Sequence, residues 1–408
     1  MKRKAFARKV KYLIKQPVRF AAKDWALGFA FPRTYAKMVA KYDVDPRRAL
    51  FLDVKSRQMP DSFPLVMAYL KGAYDIESTF VGLGQNENAG WVEYYKRCLA
   101  LMGELARAKY VFVCDACDVL SCLPLRPETK AVQLWHACGA FKKFGMSTAD
   151  KIFGGSRREK ERHPFYENLS LVTVSSAEVC WAYREAMVLD QTPDVVQPLG
   201  VSRTDVFFDA TFLAEARAIV ETAVPSISNR KVILYAPTFR GRVGEATGPD
   251  ALDIEALAAA LSDDYVLLIK HHPYVKKPPA IPAGCEHFAF MVPQVPTDIL
   301  MAAADVCISD YSSIVFEYSL LDRPMAFFAY DLEEYDDWRG FYYNYDELTP
   351  GPVLRSTEEV LDYLLNLDER FDAAALAVFR EKFMAACDGR ATERICRAVM
   401  GDESVSPV

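Results

Sequence analysis

The segment Asp305–Pro324, DVCISDYSSIVFEYSLLDRP, runs from a short apolar stretch, Val306-Cys307-Ile308, straight into Ser309-Asp310-Tyr311-Ser312-Ser313. An apolar pattern at helical spacing follows through Phe316, Leu320 and Leu321. A strand that ends in small hydroxyl residues at a helix start gathers backbone N–H groups, hydroxyls and the positive end of a helix dipole, a combination that binds anions. Taken alone, the serines would serve equally as an ordinary helix cap. Three other segments weigh against that reading, because each brings polar or cationic groups to the end of an apolar run. Lys231–Arg240 ends in Thr238 and Arg240; Tyr265–Pro273 ends in Lys270, His271 and His272; Val132–Lys143 carries His136 and then Lys142 and Lys143. Ligands of doubly wound α/β folds sit beyond the carboxyl ends of the strands. The four segments together predict a pocket for a phosphorylated ligand.

The elements that must hold these residues are legible as alternating strands and helices. Ala49–Val54, Ile76–Val81, Tyr110–Cys114, Val132–Trp135 and Leu171–Val174 read as strands of a first parallel sheet. A break follows at Gln197–Asp205, and Thr222–Arg230 has the Pro/Ser/Asn content of a connector. A second series begins with Val232–Tyr235 and continues through Val266–Ile269, Phe288–Val292, Val306–Ile308 and Met325–Phe328. From Thr357 to Met400 the pattern is mostly helical. Two α/β halves are expected, and 408 residues suffice for both cores.

Composition narrows the class. With 51% hydrophobic and 25% charged residues the chain is of globular type, and a net charge of −6 argues against general nucleic-acid binding. No apolar run is long enough to cross a bilayer, and no secretory signal is visible. Lys2 to Lys23, however, holds nine Lys/Arg and no acid, with Phe6, Val10, Leu13 and Ile14 at helical spacing. That pattern suits a short helix lying on an anionic membrane surface, or else a solvated basic face. Ten cysteines, mostly within apolar patterns, read as small hydrophobes of a reducing compartment; the single Cys114/Cys117 pair is a weak metal signal. No acidic metal cluster stands out, and neither a metal nor a cofactor is expected.

The chain resembles the CDP-glycerol glycerophosphotransferases of teichoic-acid and related polymer synthesis. The resemblance rests on VQLWHACGAFKKFG (Val132–Gly145), LGVSRTD (Leu199–Asp205), ILYAPTFR (Ile233–Arg240), Lys270-His271-His272-Pro273, ISDYSSIVFEYSLLDRP (Ile308–Pro324) and FAYDLEEYDDWRGFYYNYDELTPGPV (Phe328–Val353). It implies an α/β, GT-B-like fold of two Rossmann-like domains facing across a cleft. It also implies attack of an acceptor hydroxyl on the β-phosphorus of a CDP-linked polyol, with release of CMP. On this resemblance His136 is the general base, and His272, Ser312 and Ser313 hold the phosphates. Thr238 and Arg240 are candidate further phosphate contacts, Glu317 a candidate ribose partner, and Lys142 and Lys143 candidates for the acceptor's phosphate. Side chains alternate along extended backbone, so only one of His271 and His272 should enter the site, and the family motif selects His272 beside Pro273.

The implied layout is a basic membrane-contact segment over 1–25, an acceptor-binding domain over 26–220, a CDP-polyol-binding domain over 221–385, and a C-terminal helix and tail over 386–408. The expected partners are CDP-glycerol or CDP-ribitol, a lipid-linked saccharide or polyol-phosphate acceptor, and the anionic cytoplasmic face of a bacterial cell membrane. One departure bears on the donor: where many relatives have Gly-Thr-Pro after Trp-His, this chain has Ala137-Cys138-Gly139. Ala137 lacks glycine's freedom at positive φ, which makes ribitol phosphate an alternative to glycerol phosphate. Two other readings are weighed: a nucleotide-sugar glycosyltransferase or epimerase of the same fold, and a silent membrane-associated binding protein.

Overall fold

The computed structural model describes residues 20–401 other than 86, 88, 89, 152, 153, 155, 228 and 242–244. The helix expected over Phe6–Ile14 lies outside the described residues.

Two six-stranded sheets organise the chain. The first is built from β1 (Asp45–Asp53), β2 (Glu77–Gly82), β3 (Ala108–Val113), β4 (Lys130–Gln133), β5 (Leu171–Thr173) and β6 (Val196–Gln197). The second contains β7 (Lys231–Tyr235), β8 (Tyr265–Ile269), β9 (Ala289–Met291), β10 (Val306–Ser309), β11 (Met325–Phe328) and β12 (Val353–Leu354). Their orders are β2-β1-β3-β4-β5-β6 and β12-β11-β10-β7-β8-β9. Every pairing from β1 to β5, and every pairing across the second sheet, is parallel. The central strands are buried along nearly their whole length, as VFV of β3 and VLLI of β8 require, whereas the edge strand β2 is only half-buried.

This is the GT-B-like α/β architecture expected, with two additions. The two-residue strands β6 and β12 escape sequence reading because two residues establish no period. Val132–Trp135 was expected to be strand throughout, but β4 stops at Gln133 and the chain turns at Trp135.

Contacts divide the chain into two compact units. One comprises residues 1–136, 156–173 and 396–408; the other comprises 137–155 and 174–395. The first has a core in which Leu50, Leu52, Val111 and Val113 of the strands pack with Leu101, Met102 and Leu105 of the helix Trp91–Arg107. The second packs Ile233, Leu267, Ile308 and Ala326 with Leu257, Val360 and Leu364. In both sheets the order reverses beside the first strand, between β1 and β3 and between β7 and β10. Crevices open beyond the strand ends at such reversals, and Thr238 and Arg240 follow β7 while Ser312 and Ser313 follow β10.

Candidate active site

In the first unit, the ends of β1, β3 and β4 build the surroundings of His136. Trp135, just before it, adopts a left-handed backbone conformation with φ 58°. A bulky residue there costs on the order of 1–3 kcal/mol, so neighbouring bonds must hold it. Gln133 supplies one: its Oε1 accepts from the Trp135 N–H at 3.1 Å, while its Nε2 donates to the Asp115 carbonyl at 3.0 Å. The Ser62 hydroxyl supplies another, donating to the Trp135 carbonyl at 2.8 Å.

The imidazole is thereby fixed. His136 Nδ1 lies 2.7 Å from the Cys114 carbonyl oxygen. A carbonyl only accepts, so Nδ1 carries the hydrogen and Nε2 keeps its lone pair for a proton from elsewhere. The side chain is 45% exposed, so a reactant can reach it. Asp115 stands 3.9 Å from Nδ1 and pairs with Lys55 Nζ at 2.5 Å. Burial opposes ionisation of Asp115, yet His136 and Lys55 hold its carboxyl below the usual range.

In the second unit, β7 and β10 end side by side at the reversal point. The Asp310 carboxylate, buried just past β10, accepts from the backbone N–H groups of Thr238 and Tyr311 at 2.8 and 2.6 Å and from the Thr238 hydroxyl. Arg240 reaches Asp310 at 3.0 Å and Asp331 at 2.5 and 2.8 Å, and lies over the rings of Tyr311, Tyr330 and Tyr335. Burial works against the guanidinium, but the hydrogen bonds of Asp331 and the charges of Asp310 and Asp331 raise its pKa. Thr238 and Arg240 therefore have their principal donors committed to carboxylates. They fix the shape of the turn that carries Ser312 and Ser313.

Neither serine is an ordinary cap. Ser313 precedes the short helix Ile314–Tyr318 without capping it through its side chain, and Ser312 Oγ accepts only a long 3.4 Å bond from the Ile314 N–H. Both are half-buried. Glu317 is buried, and its carboxylate accepts from Arg203 Nε at 2.6 Å. Its ion pair is with the LGVSRTD motif.

The cations divide in the same way. Lys270 is spent on the carbonyls of Pro293 and Val295, at 2.8 and 2.6 Å. His271 packs on Gly248, with its Nδ1 buried and unpartnered. His272 sits between Phe239 and Tyr274, with centroid separations of 5.0 and 4.5 Å, and its Nδ1 accepts from the Tyr274 N–H at 3.2 Å. The hydrogen is then on Nε2, available to donate. Although His272 reaches solvent, packing and then the charges of Lys142 and Arg339 push its pKa down to about 4. Lys142 lies half-buried 6.0 Å from the Tyr335 ring centroid, its pKa driven well down by burial and then by Arg339. Lys143 contributes backbone: its N–H donates to the Gly340 carbonyl at 3.0 Å and its carbonyl accepts from Arg339 Nε at 3.1 Å.

The sequence reading did not single out Asp115, Gln133, Arg203, Asp331 or Arg339. All of these but Asp115 stand inside the quoted motifs, so only their partners were hidden. The loop after His136 also differs from expectation. Ala137 is not at positive φ; Trp135 and Gly139 are, at 58° and 62°. A Cβ on Gly139 would lie 2.3 Å from the Phe316 ring, so glycine is required there instead.

Residues 34–401 match the family described as CDP-Glycerol:Poly(glycerophosphate) glycerophosphotransferase. The chain belongs to this family. It is accordingly an enzyme of the glycerophosphotransferase type. Among its relatives is the teichoic acid ribitol-phosphate primase of Bacillus spizizenii, 31% identical over 90% of this chain and 94% of that one. The teichoic acid poly(ribitol-phosphate) polymerase of the same organism is 33% identical over 76% of this chain, but the match spans only 49% of the polymerase. In fold the chain resembles the wall teichoic acid polymerase TagF, with TM-score 0.74, 22% identity and 97% of both chains covered.

Proposed function

We propose that the chain moves a polyol phosphate from a CDP-linked donor to a hydroxyl of a membrane-associated acceptor in teichoic-acid or related cell-surface polymer synthesis, releasing CMP. The observation that carries this reading is the half-exposed His136 imidazole, turned by the Cys114 carbonyl so that Nε2 holds the lone pair. In the proposed reaction Nε2 takes the proton of the acceptor hydroxyl as its oxygen attacks the β-phosphorus. The bond from that phosphorus to the bridging oxygen breaks, and CMP leaves with the electron pair. His272 Nε2–H and the Ser312 and Ser313 hydroxyls donate to the diphosphate oxygens, where preorganised donors are worth most. After burial, the charges of Lys142 and Arg339 push the His272 pKa down and that of Arg339 pushes Lys142 down, so a diphosphate placed among them would relieve a repulsion the protein otherwise bears. Lys143 stands next to Lys142 as a candidate for the acceptor's phosphate. Arg240, Thr238 and Glu317 shape the site through their ion pairs and hydrogen bonds.

The donor is CDP-glycerol or, in a second reading, CDP-ribitol, which the near full-length match to a ribitol-phosphate primase favours. In this proposal the first compact unit handles the acceptor and the second the donor. A peripheral position at the cytoplasmic face of the membrane is supported by the nine cations of Lys2–Lys23 and by Phe20, Trp25 and Phe29, all exposed at the start of the described chain. No described helix is long and apolar enough to cross a membrane. The test is CMP release from CDP-glycerol and CDP-ribitol, against UDP release from UDP-sugars, with mass analysis of the product on a lipid-linked disaccharide analogue. Release of UDP, or of no nucleotide at all, would overturn the proposal.

A further inference from the structure

We propose that Asp115, tempered by Lys55, is a positioning residue that sets the basicity of His136; this rests on the reading of His136 as the base. The geometry assigns two tasks to two groups. The Cys114 carbonyl, at 2.7 Å, takes the Nδ1 hydrogen and fixes the ring. The Asp115 carboxylate, at 3.9 Å, is too distant for a good hydrogen bond but close enough for its charge to favour the imidazolium that forms once Nε2 accepts a proton. Neither group is free to drift. The Asp115 carbonyl is held by Gln133, which also holds Trp135, and its carboxylate accepts from the Ala116 N–H at 2.6 Å.

Lys55 acts in the opposite sense. It follows β1, where the Asp53 carboxylate accepts from the backbone N–H groups of Lys55 and Ser56 at 2.6 and 3.0 Å and shapes that turn. From there its ammonium reaches Asp115 at 2.5 Å, on the far side of the reversal between β1 and β3. It keeps Asp115 ionised while offsetting part of the negative charge that His136 feels. The other titratable groups around the pair are Asp53 itself, the Cys114 thiol, which burial keeps protonated and which lies 3.9 Å from Asp53, and Tyr166, whose ring centroid is 6.2 Å from that of Trp135.

The two charges make opposite predictions. Asp115→Asn keeps the side-chain shape but removes the charge that favours the imidazolium, so the pH dependence carried by His136 should move to lower pH. Lys55→Met removes the tempering cation and should move it to higher pH. We would read this in the full chain in two ways: the acidic limb of kcat/KM for CMP release, and NMR titration of the His136 imidazole, assigned by its loss in His136→Gln among only five histidines. The expected result is displacement in opposite directions, with the Asp115→Asn kcat reduced about tenfold and KM within about twofold. Coincident titrations in wild type and both variants would overturn the proposal while leaving His136 as base if His136→Gln is inactive. Near-normal turnover of His136→Gln would overturn both. Should Asp115→Asn fail to fold, the Lys55→Met titration decides alone.

Discussion

His136 is presented by a residue, Trp135, that would not choose its own backbone conformation. The left-handed turn sends the histidine off the line of β4, and Gln133 and Ser62 hold that turn through hydrogen bonds. Loss of the proposed base in His136→Ala should lower turnover by at least about a hundredfold, since a positioned base contributes roughly 10²–10⁴-fold. Donor affinity, measured by calorimetry, should change little; a comparable loss of donor affinity would make His136 a binding residue. Ser312→Ala and Ser313→Ala should each weaken CMP binding by about 1.5–3 kcal/mol, the usual worth of a hydrogen bond to a charged group. Unchanged CMP affinity in the folded double variant would reduce the pair to part of a turn. At this scale the sequence was informative about which residue types could act, because Ser, His and Lys at strand ends declare themselves. It was silent about which were already engaged. Arg240 looks like a phosphate ligand until Asp331, 91 positions away, is found on its guanidinium, and Glu317 looks available until Arg203 is found 114 positions before it.

Among the elements, the turn after β10 depends on a single buried carboxylate. Asp310→Ala would strand two backbone N–H groups and leave Arg240 one partner short. Removing one member of a buried ion pair costs about 3–5 kcal/mol, and denaturant unfolding of this variant should fall in that range. A loss under about 1 kcal/mol would mean that the turn is held otherwise. The segment after β8 carries a pH signature. Because the pKa of His272 is lowered to about 4 in the folded chain from an ordinary 6.5, the unfolded chain binds a proton that the folded chain refuses between those values. The contribution of His272 to stability is therefore intact above pH 6.5, declines as the pH falls, and is fully lost below about 4. His272→Gln should flatten that part of the profile of Tm against pH; parallel profiles would contradict it. The strands themselves were readable from their apolar runs. Their order in the sheets was not, since order is decided by pairings across long stretches of chain.

For the molecule as a whole, the proposed membrane position rests on the basic start of the chain. Lys23 already pairs with Asp118 at 2.7 Å, so a truncation should stop short of it. Deleting residues 1–19 should abolish salt-sensitive co-sedimentation with anionic vesicles, at about 1 kcal/mol per basic residue near such a surface, while sparing transfer to a soluble acceptor analogue. Full binding by the truncated chain would locate membrane contact elsewhere.

The return of residues 396–401 to the first compact unit also sets a timetable for synthesis. The Lys130 ammonium, at the start of β4, donates to the Val399 carbonyl in the helix Ala391–Met400, a partner translated long after it. At roughly 5–20 residues per second, making residues 174–395 takes about 10–40 s, during which the first unit must wait incomplete. The second unit carries a similar debt, because the Ser175 hydroxyl donates to the Phe383 carbonyl and the Asp205 carboxylate accepts from the Ala391 and Thr392 N–H groups. Neither unit is therefore complete until the segment from Phe383 to Val399 has been made, and both cores are sealed by the same late stretch of chain.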